Sequence, residues 1–191
     1  MSSNLAFIGI SLVVITTPGP DTALTIRNTL LAGARGGIFT AIGVSVGLLV
    51  WALAASAGVV GLLVASAPLF EALRLAGAAY LIFIGAQTLY RAFRPATDAR
   101  RAVGTGGGRR LGPTAALRQG LINDLANPKI AAFFASLFPQ FVPPGGSSFW
   151  ALMALGASFS CMTLTWLVVY SFAVAKIGWP KAFGVEMGNP P

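Results

Sequence analysis

Apolar residues run along this chain in long blocks, with polar residues gathered between them. The period-two alternation of a half-buried strand is missing. A transmembrane helix needs about 20 mostly apolar residues. Five blocks meet that length, over residues 5–26, 38–64, 69–89, 115–138 and 149–175. The pattern predicts an all-α, polytopic membrane bundle of five transmembrane helices. Its expected organisation is a first three-helix repeat (1–90), a basic loop (91–114), a second repeat of two helices (115–175) and a short tail (176–191). An odd number of spans per repeat would invert the second repeat relative to the first.

Two of the blocks contain residues that a lipid-facing helix avoids. The first is interrupted by "TTPGPD", Thr16 to Asp21. A proline inside a helix removes a backbone hydrogen bond and clashes with the preceding turn. In lipid the freed carbonyls need partners or a wet cavity. Pro18, Gly19 and Pro20 together therefore predict a broken helix. A charge such as Asp21 costs roughly 2.5–3.5 kcal/mol at mid-membrane on insertion scales. Thr17, Asp21 and Thr25 would share one helical face, continued by Asn28. The fourth block reads "QGLINDLANPKIAAFF". Gln119, Asn123 and Asn127 form a second polar stripe at intervals of four. Pro128 breaks that helix and Lys129 follows directly. Interrupted spans at corresponding places in two inverted halves point to a transporter's binding site.

Composition agrees with a membrane chain: 55% of residues are hydrophobic and 9% charged, against about 25% charged in soluble domains. The net charge of +8 would suggest nucleic acid in a soluble protein. Here Arg91, Arg94, Arg100, Arg101, Arg109, Arg110 and Arg118 lie in or beside one interspan loop. They read as a topology signal, and no nucleic-acid partner is expected. The positive-inside rule makes that loop cytoplasmic, together with Arg27, Arg35, Lys176 and Lys181. The N-terminus and the uncharged "PQFVPPGGSS" then lie outside. The start "MSSNL" lacks a basic n-region, so no cleavable signal is expected.

One cysteine, Cys161, and no histidine argue against zinc or haem, and no cofactor is expected. No nucleophile–base pair is visible, so an enzyme is not expected. Gly33 and Gly37, and Gly43 and Gly47, form GxxxG pairs suited to close helix packing. Such pairs serve within a bundle or between protomers, which leaves a homo-oligomer open.

The chain resembles the LysE/RhtB family of amino-acid exporters. The resemblance rests on "PGPD", "GARGGIFTAIGVSVG", "LRLAGAAYLIFIGAQTLYRA" and, most specifically, "QGLINDLANPKIAAFFASLFPQFV". It implies an exporter in the bacterial inner membrane, moving amino acids or derivatives such as homoserine, its lactone, threonine or leucine. It also implies a proton-driven antiport. The family pattern carries over to Pro18, Gly19, Pro20, Asp21, Asn127, Pro128 and Lys129. The partners are then the amino-acid substrate, protons and the lipid bilayer. An alternative reading is a truncated, non-transporting membrane protein, or an exporter of another small solute or cation.

Two departures from the family pattern carry expectations of their own. Asp124 stands where an uncharged residue is expected. The residues after Lys176 hold no apolar run of spanning length, so the family's sixth helix is expected to be missing. The stripe of Gln119, Asn123 and Asn127 would then lose its cover, and export would be poor. At about 1.5 Å per residue, Asp21 would lie roughly 24 Å from the start of the first span, near the inner surface. By the same rise, Lys129 would lie roughly 21 Å from the start of the fourth, in the outer half. No direct bridge between them is expected.

Overall fold

The computed structural model describes residues 2–65, 111–141 and 148–178, and single positions at 68, 72, 75, 79, 82, 83 and 86. Its helices are α1 (Ser2–Thr16), α2 (Pro20–Ala65), α3 (Pro113–Leu125), α4 (Pro128–Ala132) and α5 (Ser148–Gly178). A π turn (Phe133–Leu137) and a 3-10 turn (Phe138–Phe141) continue α4. No strand occurs among the described residues, and the architecture is an all-α membrane bundle.

Proline starts three of these helices. Pro20, Pro113 and Pro128 open α2, α3 and α4. The first helical position suits proline, because its missing N–H would have no partner there. Gly112 and Asn127 are the N-caps of α3 and α4. Gly19 accepts the first intrahelical bond of α2, from Ala23 N at 3.0 Å. The prolines that interrupt the apolar blocks thus end one helix and begin the next.

α2 is not one straight rod. Ala32 and Gly33 leave helical geometry, Gly33 with φ +68°, a left-handed value that glycine adopts without steric cost. Residues twelve apart in a straight helix are about 18 Å apart. Yet Asn28 Nδ2 donates to Thr40 Oγ1 at 2.9 Å. The chain therefore folds back at Gly33 into two limbs, 20–31 and 34–65. A Cβ on Gly36 would overlap the carbonyl of Asn28, and one on Gly37 would overlap Thr29 and Ser171. The expected first span, 5–26, is thus α1 followed by the short limb. The expected second span, 38–64, lies within the long limb.

The fourth block begins at Pro113, two residues before its expected start and inside the expected loop 91–114, and it divides at Ala126 and Asn127. The fifth runs Ser148–Gly178, slightly longer than expected. Most of the third block, 69–89, lies outside the described residues, as do 91–110 and the tail after 178. The described positions from 68 to 86 are helical and exposed.

Both α3 and α5 pack along α2. Gly43 meets the backbone of Leu117 and Leu121, Gly120 meets Thr40 and Val44, and Gly47 meets Asp124. Lipid offers no hydrophobic drive between helices, so such close approaches supply the packing energy. Phe133, Phe134 and Phe159 form the aromatic core, with Phe133 and Phe159 stacked at 4.6 Å. Leu5, Leu53, Trp150 and Phe172 are at least half exposed. In water that apolar surface would be a liability; in a bilayer it faces acyl chains.

Candidate translocation site

The two helix breaks meet. Asp21, in the first turn of α2, accepts Asn123 Nδ2 at 2.7 Å and Asn127 Nδ2 at 2.6 Å. The carboxylate is buried and sits at the positive end of the α2 dipole. Lys129 Nζ donates to the carbonyls of Val14 and Thr17, each at 3.1 Å. Those carbonyls lie at the C-terminal end of α1, Val14 in its last turn and Thr17 just past it, where a helix leaves acceptors unpaired and carries partial negative charge. Each half of the molecule therefore satisfies the other's break. The lysine of the second break caps the first helix, and the amides of the second stripe hold the aspartate of the first.

Local sequence aims these groups. Asn127 Oδ1 accepts the backbone N–H of Lys129 at 3.1 Å, an N-cap bond that turns the lysine toward α1. Gly19 lets it in: a Cβ there would stand 3.1 Å from Lys129 Nζ. Thr17 Oγ1 donates to Val13 O at 2.6 Å, so its side chain closes its own turn and its carbonyl serves the lysine. Pro18 and Pro20 are exposed and shape the break. Thr25 is fully buried, and its hydroxyl has no partner among the described residues. Pro128 opens α4 beside the site.

Farther along α2, Asn28 Nδ2 also donates to Gln119 Oε1 at 3.1 Å. The short limb and α3 therefore lie antiparallel with their polar faces together, Asn28 by Gln119 and Asp21 by Asn127. A narrow crevice beside Asp21 and Lys129 is walled by Val14, Phe159, Thr163 and Trp166.

Three expectations are corrected by this geometry. Thr17 does not share a helical face with Asp21 and Thr25, because α1 ends before it. Asp21 and Lys129 are not separated by half the membrane: both line one crevice. The depth estimate counted a continuous rise through segments that are broken. The stripe of Gln119, Asn123 and Asn127 is not left bare, since the short limb of α2 covers it.

Sequence reasoning named the charged and amide residues of the site but not the α1 carbonyls that receive Lys129. It also missed the walls from α5. Backbone acceptors become visible only once a helix end is known, and the α5 positions are apolar residues like any core residue.

The arrangement has capacity left over. An ammonium has three donors and a carboxylate about four acceptor positions, and among the described residues two of each are used. Both side chains border the crevice.

The chain matches the family described as LysE type translocator over residues 12–179. It is similar to the leucine efflux protein of Salmonella typhimurium, 31% identical over 94% of this chain and 84% of the relative. The protein of that name from Salmonella typhi matches to the same extent. It is also similar to the uncharacterized membrane protein YrhP of Bacillus subtilis, 28% identical over 95% of this chain and 88% of the relative. No solved structure matches the chain. With two broken helices meeting in a lipid-embedded bundle and a match over nearly its whole length, this chain belongs to the LysE type translocator family.

Proposed function

We propose that this protein exports amino acids or close derivatives across the bacterial inner membrane, coupled to inward movement of protons. The single observation that carries the reading is the cross-connected pair of breaks: Asp21 held by Asn123 and Asn127, and Lys129 held by α1 carbonyls. An amino acid brings one ammonium and one carboxylate. Asp21 receives the ammonium and Lys129 the carboxylate, each through its unused positions. The amides of Asn123 and Asn127 keep Asp21 hydrogen-bonded when no substrate is present, which lowers the cost of an empty site. Gly19, Pro18 and Pro20 keep the backbone open at that point, and Thr17 contributes its carbonyl. The buried hydroxyl of Thr25 offers a further polar position. The efflux proteins among the relatives support leucine-like substrates, and homoserine, its lactone and threonine belong to the same size class.

The protein would be a multi-pass chain with its N-terminus outside and the basic loop and C-terminus cytoplasmic. The repeat boundaries 1–90 and 115–175 belong to this reading. The two breaks occupy the first helix of each repeat.

Efflux of labelled amino acids from preloaded cells, with and without the protein, across a panel including leucine, threonine and homoserine, tests the proposal. Faster loss of at least one amino acid is expected. Unchanged loss of all of them, with the protein present in the membrane, would refute amino-acid export and favour a non-transporting protein or another solute.

A further inference from the structure

The Asp124 side chain makes none of the hydrogen bonds that join the two breaks, yet it is the most enclosed acid among the described residues, with 0% of its surface exposed. Its two carboxyl oxygens have no hydrogen-bond partner among the described residues. Its side chain lies on Gly47 of the long α2 limb, so closely that a Cβ at Gly47 would overlap it. Its main-chain oxygen is occupied, receiving Asn127 N at 2.9 Å and Trp51 Nε1 at 3.4 Å. The backbone of Asp124 is therefore fixed while its carboxyl is left alone. Among the described residues, the charged groups that face it from the packed elements are Asp21 on α2 and Lys129 on α4. Asp21 and Lys129 balance one another, so among the described residues an ionised Asp124 would leave one uncompensated negative charge. An unpaired buried ion is far costlier than an unpaired neutral group.

We propose that Asp124 is the proton-carrying site of this transporter, separate from the substrate-holding pair. With its proton on, the carboxyl stays packed against Gly47 and the α2–α3 seam is closed. With its proton lost, the carboxylate needs water, and it obtains water only if α3 draws away from Gly47. The proton is taken up from the outer aqueous side and released to the cytoplasmic side. The step is a proton transfer between water and the carboxyl and needs no other reactant. Lodging the proton at the seam, one residue from Asn123, ties the seam's opening to the group that holds Asp21. This inference rests on the proton-coupled reading above and gives that coupling a residue.

Two measurements test it, and the first does not depend on transport. Dicyclohexylcarbodiimide reacts with protonated carboxyls in apolar surroundings. Treatment of the purified wild-type protein, followed by mass spectrometry, should place the adduct on Asp124. An adduct on Asp21 with none on Asp124 would overturn the proposal, as would no adduct at either. The second compares wild type and Asp124→Asn in proteoliposomes with radiolabelled leucine. Asp124→Asn should keep leucine counterflow at equal pH and lose accumulation driven by a pH gradient. Gradient-driven accumulation by the variant would overturn the assignment. Wild-type counterflow without any response to a pH gradient would overturn proton coupling itself, and the assignment with it. If wild type moves no leucine, the substrate reading fails while the adduct still decides whether Asp124 holds a proton.

Discussion

At the scale of single residues, the charges are held by opposite kinds of partner. Asp21 is held by two side-chain amides and Lys129 by two main-chain carbonyls. Asp21→Asn keeps the shape but puts an amide opposite amides. Lys129→Gln shortens the reach to the α1 carbonyls and removes the positive charge. Both variants are expected to insert normally and to lose export, measured as leucine efflux with membrane content checked by immunoblot. Normal efflux by both would remove these residues from the mechanism. A hydrogen bond to a charged group contributes about 1.5–3 kcal/mol. Lys129→Ala should therefore also lower the thermal midpoint in detergent by more than Lys129→Gln, whose amide still donates. Part of this was legible in the sequence. A charge beside a proline inside an apolar block is conspicuous, and both such residues lie at the meeting point. Asp124 was conspicuous too, but its seat on Gly47 depends on how α3 crosses α2, which a pattern along one chain does not contain.

At the scale of elements, glycine placement decides how close the helices come. Gly43 faces the backbone of Leu117, which cannot move aside as a side chain can, whereas Gly58 has open space around its missing Cβ. Gly43→Ala should destabilise the protein by the about 1–3 kcal/mol typical of overpacking, read as a lower thermal midpoint in detergent. Gly58→Ala should leave the midpoint unchanged or raise it slightly, since alanine is the better helix former. Equal effects at both would mean that α3 does not sit on Gly43. The apolar blocks were readable because length alone distinguishes a span, and the breaks were readable because proline and glycine announce them. The reversal at Gly33 was less so. "GARGG" looks like helix-packing glycine, and only the positive φ of Gly33 with the Asn28–Thr40 bond marks a hairpin. That reversal frees the short limb to lay its polar face on α3.

At the scale of the whole molecule, the proposed orientation places the basic loop in the cytoplasm and the uncharged "PQFVPPGGSS" outside. Cys161 is exposed, so topology is best probed in a Cys161→Ala background. A cysteine at Ala102 should be shielded from an impermeant thiol reagent in intact cells, and one at Ser147 should react. The same labelling at both would refute the orientation. The central claim is that the two breaks build one zwitterion site. Equilibrium binding of radiolabelled leucine to the purified protein tests it most directly, with wild type, Asp21→Asn and Lys129→Gln side by side and unlabelled leucinamide as competitor. Leucinamide keeps the ammonium but has no carboxylate. Binding by wild type, its loss in both variants and weak competition by leucinamide are the expected result. Binding of leucine unchanged by either substitution would contradict it.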